Sequence, residues 1–205
     1  MYLVSTPGLL RKCFSKDLVW DVKTDRKEIF LTFDDGPDPE TTPVILELLE
    51  KHAVKATFFC LGKNAEKQPS FIDAILKQGH TIGNHTYSHL NGWKTHTHNY
   101  ISDIEKSNNI LGSPLFRPPY GRIKPSQINI LKKKYKIIMW SVLTGDFDMN
   151  ISSEKCLQNS LRFLKPGSII VFHDSKKAIE KVKNILPDFL KRTADMGYSF
   201  PIISG

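Results

Sequence analysis

The sequence predicts an α/β protein of one domain, in which seven or eight parallel β-strands form a barrel. Short runs of β-branched and aromatic residues alternate along the chain with segments of helical periodicity. Carboxylates, an arginine or histidines follow nearly every one of these runs. Side chains with this chemistry collect where parallel strands end on the rim of a barrel. This distribution favours a barrel over an open doubly wound sheet.

The predicted elements follow one another in a regular order. Seven runs have the composition of buried strands: residues 29–33, 56–61, 81–84, 115–117, 137–142, 168–172 and 198–203. Helices are predicted around residues 44–49, 71–76, 101–111, 126–134, 156–164 and 177–195. Thr41 is expected to cap the first helix, with Pro43 in its first turn. Residues 1–28 are interpreted as a lead-in that packs on the domain formed by residues 29–205.

Length and composition narrow the class of protein. The 205 residues are enough for one domain with a substantial core. No apolar run reaches the roughly 18 residues of a transmembrane helix, and the N-terminus lacks the pattern of a secretion signal. The chain as given is therefore expected to be cytoplasmic, unless a leader has been removed. Cys13, Cys60 and Cys156 show no paired spacing and are expected to be reduced residues packed as small apolar groups.

The net charge of +8 is compatible with an anionic partner. The lysines are spread along the chain, however, and the tight cluster at 132–134 lies on a predicted solvated helix. We interpret the charge as an ordinary basic surface and predict no nucleic-acid partner. The oligomeric state is not specified by the sequence.

Two adjacent carboxylates end the first predicted strand. Asp34 and Asp35 follow the apolar run 29–33 and precede Gly36 and Pro37. Neighbouring residues on a strand point in different directions, so the two aspartates can have separate roles. Asp-Asp-Gly-Pro is also good turn chemistry, and these two residues alone do not distinguish a site from a turn.

His85 and His89 follow the strand predicted at residues 81–84. On a helical turn, a spacing of four residues places both imidazoles on one face, as in sites for divalent metals. Two histidines and one carboxylate form a familiar catalytic zinc set, and either Asp34 or Asp35 can supply the carboxylate. Zinc is the first choice of metal, and cobalt, nickel or manganese suit the same ligands.

Three further strand ends carry polar residues. Arg117 ends one predicted strand and is followed by two prolines, which would hold a stiff loop. Asp146 follows the next strand, and His173 ends the run 168–172. A single histidine at a strand end is often structural. Five strand ends with such residues indicate a functional rim instead.

These motifs resemble those of the polysaccharide deacetylase family, carbohydrate esterase family four, whose members remove N- or O-acetyl groups from sugars. The resemblance extends from about residue 29 to residue 203, and its most specific runs are 32–36, 85–89 and 117–121. It implies a distorted (β/α) barrel with the site at the carboxyl ends of the strands. It also implies an acetylated carbohydrate substrate and residues 29–205 as the catalytic domain.

The resemblance further implies an acid–base pair, a set of metal ligands and a set of substrate contacts. In the acid–base pair, Asp34 is the catalytic base and Arg117 holds it in place. His173 is the general acid, and Asp146 orients it. The metal ligands are Asp35, His85 and His89. The substrate contacts are Val171 in the acetyl pocket, the Tyr120 N–H as oxyanion donor, Pro119, Phe147 and Trp93.

One run departs from the family pattern. Many members have Asp-x-x-Asp-Trp, whereas this chain has Leu143 at the first aspartate and Phe147 at the tryptophan. Asp146 is retained, so the acid–base set is complete, but the identity of the substrate is left open. Trp93 is a candidate replacement for the missing aromatic wall, and unchanged activity of a Trp93→Ala variant on acetylated sugars would refute this hypothesis.

The residues and the resemblance are compatible with three functions. The leading hypothesis is a metal-dependent deacetylase of N-acetylated sugars. The alternatives are an amidohydrolase for a small non-sugar amide and a carbohydrate-binding protein that has lost catalysis. The complete set of polar residues argues against the last alternative, because binding alone does not need both Asp34 and His173.

Overall fold

The structure is a computed structural model that describes residues 16–205 of the chain. Cys13 and residues 1–15 of the predicted lead-in lie outside the described residues. Within residues 16–205, eight parallel strands pair into one sheet. They are β1 (Leu18–Val19), β2 (Phe30–Asp34), β3 (Thr57–Cys60), β4 (Thr81–Asn84), β5 (Leu115–Phe116), β6 (Lys136–Ile138), β7 (Val142–Leu143) and β8 (Ile169–His173).

Helices occupy most of the connections between the strands. They are α1 (Thr42–Lys51), α2 (Gly62–Lys67), α3 (Pro69–Lys77), α4 (Thr97–Leu111), α5 (Pro125–Leu131), α6 (Ser153–Arg162) and α7 (Ile179–Asp195). Two short 3₁₀ turns, Gly92–Lys94 and Pro119–Gly121, follow β4 and β5. None of the helices within residues 16–205 combines the length and apolar character that a membrane crossing needs.

One short segment links strands near the two ends of the curled sheet. The strand order is β1-β6-β5-β4-β3-β2-β8-β7. Residues 139–141 leave β6 and enter β7: the Met139 N–H donates to the Val19 carbonyl at 2.7 Å, and the Ser141 N–H donates to the Ile169 carbonyl at 3.0 Å. The predicted α/β barrel class is therefore confirmed, and the carboxyl ends of the strands face one rim.

Individual elements differ from the predictions. The predicted strand 137–142 is two strands, β6 and β7, because residues 139–141 cross from one end of the sheet to the other. The predicted strand 198–203 is wrong, since Ser199 forms only an isolated bridge with Glu28. Strand β1 and helix α2 were not predicted, because two or six residues carry too little periodicity to be recognised.

The strands that support the rim are buried on both faces. Every residue of β2 and β3 is buried, which explains their continuous apolar sequences. The ring of Phe33 stacks on Phe58 with centroids 5.2 Å apart and lies 5.9 Å from the ring of Phe172. Cys60 and Cys156 are buried and free, as predicted for these two residues. The rim residues are thus attached to a closely packed core.

Candidate active site

The two aspartates at the end of β2 lie in separate environments. Asp34 is the last residue of β2 and is paired in register with His173 on β8. Its carboxylate accepts a hydrogen bond from Arg117. Asp35 has a φ of 80°, in the left-handed region that is uncommon for residues other than glycine. The Asn64 side chain donates to the Asp35 carbonyl at 2.9 Å and supports this turn. The neighbouring carboxylates can therefore have distinct functions.

Arg117 is completely buried beside Asp34. Its Nη1 donates to Asp34 Oδ1 and to Thr32 Oγ1, each at 2.7 Å, and its Nη2 donates to the Met139 carbonyl at 3.0 Å. The guanidinium carbon lies 4.0 Å from the centroid of the Phe59 ring. Burial lowers the pKa of Arg117, and the Asp34 carboxylate opposes that change. These contacts hold the Asp34 carboxylate in one orientation.

Asp35, His85 and His89 bring three possible ligand atoms within 4.8 Å of one another. Asp35 Oδ1 lies 3.7 Å from His85 Nε2 and 3.2 Å from His89 Nε2. Among the described residues, this buried oxygen accepts no hydrogen bond. A buried carboxylate oxygen without a donor is costly unless a cation neutralises it. The donor set therefore fits a divalent metal, with the ligand types of a catalytic zinc site.

The protonation states of this group also suit a metal. His85 Nδ1 lies 2.8 Å from the Arg117 carbonyl, which can only accept, so this nitrogen carries the proton and Nε2 presents its lone pair. Burial lowers the pKa of His85 to about 4. Burial opposes ionisation of Asp35, but the neighbouring imidazoles outweigh it and hold the pKa of this carboxyl below its usual range. Neutral imidazole and ionised carboxylate are the forms that bind metals.

Segment 85–89 is a loop, and the predicted helical turn is wrong. Thr86 has a φ of 66° and His89 a φ of 59°, whereas an α-helix requires negative φ angles. Two backbone N–H groups of the segment donate to Asp103 on α4. The histidines are nevertheless neighbours, with ring centroids 5.2 Å apart.

His173 is bound by Asp146 at two points. The ring Nδ1 of His173 lies 2.7 Å from Asp146 Oδ1, and the backbone N–H donates to Asp146 Oδ2 at 2.6 Å. Burial lowers the pKa of His173, but the Asp146 carboxylate, aided by Asp35 and Asp34, outweighs burial and raises this pKa to about 9. The imidazole therefore carries a proton at neutral pH, and its Nε2 is the atom that can donate it.

Asp174 connects the end of β8 to the turn that follows Asp34. Its N–H donates to the Asp34 carbonyl at 2.7 Å, and its buried carboxylate accepts hydrogen bonds from the hydroxyls of Thr41 and Thr42. A Cβ on Gly36 would lie 2.1 Å from Asp174 Oδ2, so glycine is required there. Thr41 consequently does not cap α1 with its side chain, contrary to prediction. In the sequence, Asp174 is signalled only by its position directly after His173, at the end of a predicted strand.

Three of the predicted substrate contacts line the inner part of the rim. Val171 is buried on β8, where it pairs with Leu143 on β7. The Phe147 ring meets the His173 ring edge-on with centroids 4.8 Å apart. Pro119 is buried in the 3₁₀ turn that follows β5. Leu143 is itself buried, so an apolar residue suits its position.

The two other predicted contacts are exposed aromatic residues. The Tyr120 ring packs on His89 with centroids 4.6 Å apart, yet Tyr120 is 60% exposed. Trp93 is 56% exposed, and its Nε1 donates to the Ile123 carbonyl at 3.2 Å. The Arg122 guanidinium carbon lies 5.2 Å from the Trp93 ring centroid. Trp93 is thus anchored to the segment that follows Tyr120.

Comparison with known proteins agrees with this geometry. Residues 21–135 match the family model described as polysaccharide deacetylase. The chain belongs to the polysaccharide deacetylase family. The resemblance of the strand-end motifs to this family is therefore confirmed.

Two relatives of known name and one solved structure are similar to most of this chain. The chain is 40% identical over 182 residues to a peptidoglycan-N-acetylglucosamine deacetylase of Bacillus cereus, covering 83% of this chain and 66% of that protein, just under two thirds. It is 34% identical over 161 residues to a chitooligosaccharide deacetylase of Azorhizobium caulinodans. This match covers 75% of this chain and 76% of that protein. The crystal structure of the Bc1960 peptidoglycan N-acetylglucosamine deacetylase aligns with this structure with a TM-score of 0.88 and 35% sequence identity. The alignment covers 97% of this chain and 95% of that chain.

Proposed function

We propose that this protein is a metal-dependent deacetylase that hydrolyses acetyl groups from N-acetylated sugars, as oligomers or polymers. Residues 29–205 form its catalytic domain. The proposal is carried by the groups that meet on one rim. Asp35, His85 and His89 converge as metal ligands there. The buried carboxylate of Asp34 and the protonated imidazole of His173 lie on the neighbouring strand ends. The names of the relatives support an acetylated amino-sugar substrate.

Asp35, His85 and His89 hold a divalent cation in this proposal. Zinc is the first choice, and cobalt, nickel and manganese are compatible with the same donors. When bound, the cation supplies Lewis acidity to the acetyl carbonyl and to the attacking water. The Arg117 carbonyl and the Tyr120 hydroxyl orient the two imidazoles through their Nδ1 atoms.

Asp34 and His173 perform the proton transfers. Asp34 accepts a proton from water as the water oxygen bonds to the acetyl carbonyl carbon, and Arg117 keeps the carboxylate aimed. His173 donates its Nε2 proton to the sugar nitrogen as the C–N bond breaks. The products are acetic acid, which ionises to acetate, and the free amine. Asp34 then loses its proton to solvent and His173 takes one up, so both groups return to their starting states.

The remaining groups stabilise charge and position the sugar. The backbone N–H of Tyr120 is the proposed oxyanion donor, in a turn where Tyr120 has a φ of 59° between Pro119 and Gly121. Val171, Pro119 and Phe147 form the wall of the acetyl pocket. The exposed rings of Tyr120 and Trp93 offer flat apolar faces for sugar rings.

Asp146→Asn is expected to shift the alkaline limb of the pH profile of kcat/KM to lower pH. The substitution removes the carboxylate that contributes most to raising the pKa of His173, so burial, opposed only by Asp35 and Asp34, then lowers this pKa from about 9. A general acid acts only while protonated, so activity is lost at lower pH than in the wild type. Asp148→Asn, on the same loop, is the control and should leave the limb in place. An unchanged limb in Asp146→Asn would contradict the assignment of His173 as the acid.

The test of the proposed function is acetate release from N-acetylglucosamine oligomers and a panel of other acetylated sugars and small amides. The protein is stripped with a chelator and assayed before and after addition of zinc or cobalt. We expect no release without metal and restored release with it.

Each other outcome identifies a different error. Release that chelation does not reduce contradicts the metal requirement. Cleavage of small amides but of no sugar supports the small-amide hydrolase and makes Leu143 and Phe147 the residues to examine. Tight binding of sugars without any release supports a carbohydrate-binding protein.

A further inference from the structure

The loop between the two proposed histidine ligands has a backbone that is unfavourable by itself. Thr86 and His89 have φ angles of 66° and 59°. In this left-handed region the Cβ atom approaches the carbonyl oxygen that follows, and a β-branched threonine is especially disfavoured. Such a conformation persists only where surrounding groups over-determine it. The structure should therefore contain contacts that hold this loop.

Asp103 on α4 provides two of these contacts. Its Oδ2 accepts the N–H of Tyr87 at 2.8 Å and the N–H of Ser88 at 3.0 Å. Hydrogen bonds to an ionised acceptor are roughly twice as strong as those between neutral groups. Tyr87 and Ser88 lie between His85 and His89, so these two bonds restrain the path of the backbone from one ligand to the other.

Other contacts secure the ends of the loop. The Asn84 side chain accepts the Thr86 N–H at 2.8 Å and donates to the Ile104 carbonyl on α4 at 2.9 Å. The Leu90 N–H donates to the Thr86 hydroxyl at 3.3 Å. These bonds involve Thr86 and the residues flanking the loop. In the middle of the loop, the Tyr87 carbonyl also accepts the N–H of Lys63 at 3.2 Å, and the Asp103 bonds hold the two neighbouring N–H groups.

The helix that carries Asp103 is well suited to holding the loop between His85 and His89. Helix α4 has 15 residues and is anchored in the core by Tyr100 and Ile104. Lys106, one turn after Asp103, places its ammonium group 3.5 Å from the centroid of the Tyr87 ring. Two side chains on one helix face thus contact the same part of the loop. Groups on helices define positions better than groups on loops.

We propose that Asp103 is a positioning residue of the metal centre. By binding the N–H groups of Tyr87 and Ser88, it sets the separation and relative orientation of the imidazoles of His85 and His89. Without these bonds the loop samples other backbone conformations, and the two imidazoles spend less time arranged for one ion. This inference rests on the proposed metal binding by Asp35, His85 and His89, and adds a residue that does not touch the ion.

The test is the zinc affinity of the metal-stripped protein, measured by competition with a chromogenic chelator. We expect Asp103→Ala to weaken binding about 10–100-fold, the usual effect of losing an outer partner of a metal ligand. Asp103→Asn keeps one acceptor oxygen and should stay within a few-fold of the wild type. Asp103→Ser, whose hydroxyl is too short to replace the carboxylate, is the second variant if the alanine protein does not fold.

Glu105→Ala is the matched control. Glu105 lies on the same helix but accepts hydrogen bonds from Lys134 and Tyr135, away from the metal-binding loop. This variant should lower the thermal stability of the metal-free protein and leave the zinc affinity unchanged.

Three results would overturn the inference, and they are distinguishable. Wild-type protein that binds no zinc would overturn the metal site and the role of Asp103 together. Wild-type binding with equal affinity in Asp103→Ala and Asp103→Ser would overturn the role of Asp103 alone. An equal loss in Asp103→Ala and Glu105→Ala would show a general effect of destabilising α4.

Discussion

Asp34→Asn is expected to lower kcat for acetate release by about 10²–10⁴-fold, the range that a general base contributes. Asparagine has nearly the same shape and can still accept the hydrogen bond from Arg117 Nη1, so the site keeps its geometry. It cannot accept a proton from water. The measurement is steady-state acetate release from N-acetylglucosamine oligomers at saturating zinc, together with zinc affinity, which should change little.

Asp38→Asn is the control for the first prediction. Asp38 lies on the next turn, where its Oδ1 accepts the N–H groups of Glu40 and Thr41. An asparagine oxygen can make the same bonds, so kcat should stay within a few-fold. If Asp34→Asn retained more than about a tenth of the wild-type kcat, the assignment of Asp34 as the base would fail, because even the low end of the expected range is larger.

Arg117→Met is expected to lower the free energy of unfolding of the metal-free protein by about 3–5 kcal/mol. Methionine replaces much of the volume, but it leaves the buried Asp34 carboxylate without its counter-ion and Thr32 and the Met139 carbonyl without their donor. For a chain of this size the loss corresponds to a decrease in Tm of roughly 6–20 °C. Urea denaturation at constant pH measures it.

A second substitution separates the charge effect from lost packing. Asp34→Asn combined with Arg117→Met removes both charges, and the double variant should recover part of the stability lost by Arg117→Met alone. Arg162→Met, at an exposed position, is the control and should change the free energy of unfolding by less than about 0.5 kcal/mol. A double variant no more stable than Arg117→Met would show that packing of the guanidinium, including its contact with Phe59, dominates.

Much of the candidate site could be located from the sequence because its residues end apolar strands. Asp34, Arg117 and His173 each follow a run whose composition marks it as a buried strand. The carboxyl ends of parallel strands meet on one rim, so the approximate meeting of these side chains could be expected. Their individual roles remain predictions, although their positions agree with those roles.

The local conformations could not be predicted in the same way. The spacing of His85 and His89 is helical, but the chain there is a loop because the backbone leaves the helical region at Thr86 and is held by Asp103. The crossing at residues 139–141 depends on hydrogen bonds to Val19 and Ile169, which lie far away along the chain. Periodicity reports which residues are buried and carries no information on such partners.

The sequence by itself determined the α/β class, the order of most strands and the family, because burial imposes apolar runs and catalysis requires particular side chains at their ends. The residues alone left open which carboxylate faces the histidines, and the family resemblance implied Asp35. Only the tertiary structure shows the reason, since Asp34 is bound by Arg117 and the left-handed turn at Asp35 directs the second carboxylate to His85 and His89. It also revealed Asp103 and Asp174. Their hydrogen-bond partners are distant in sequence, so no local pattern can indicate them.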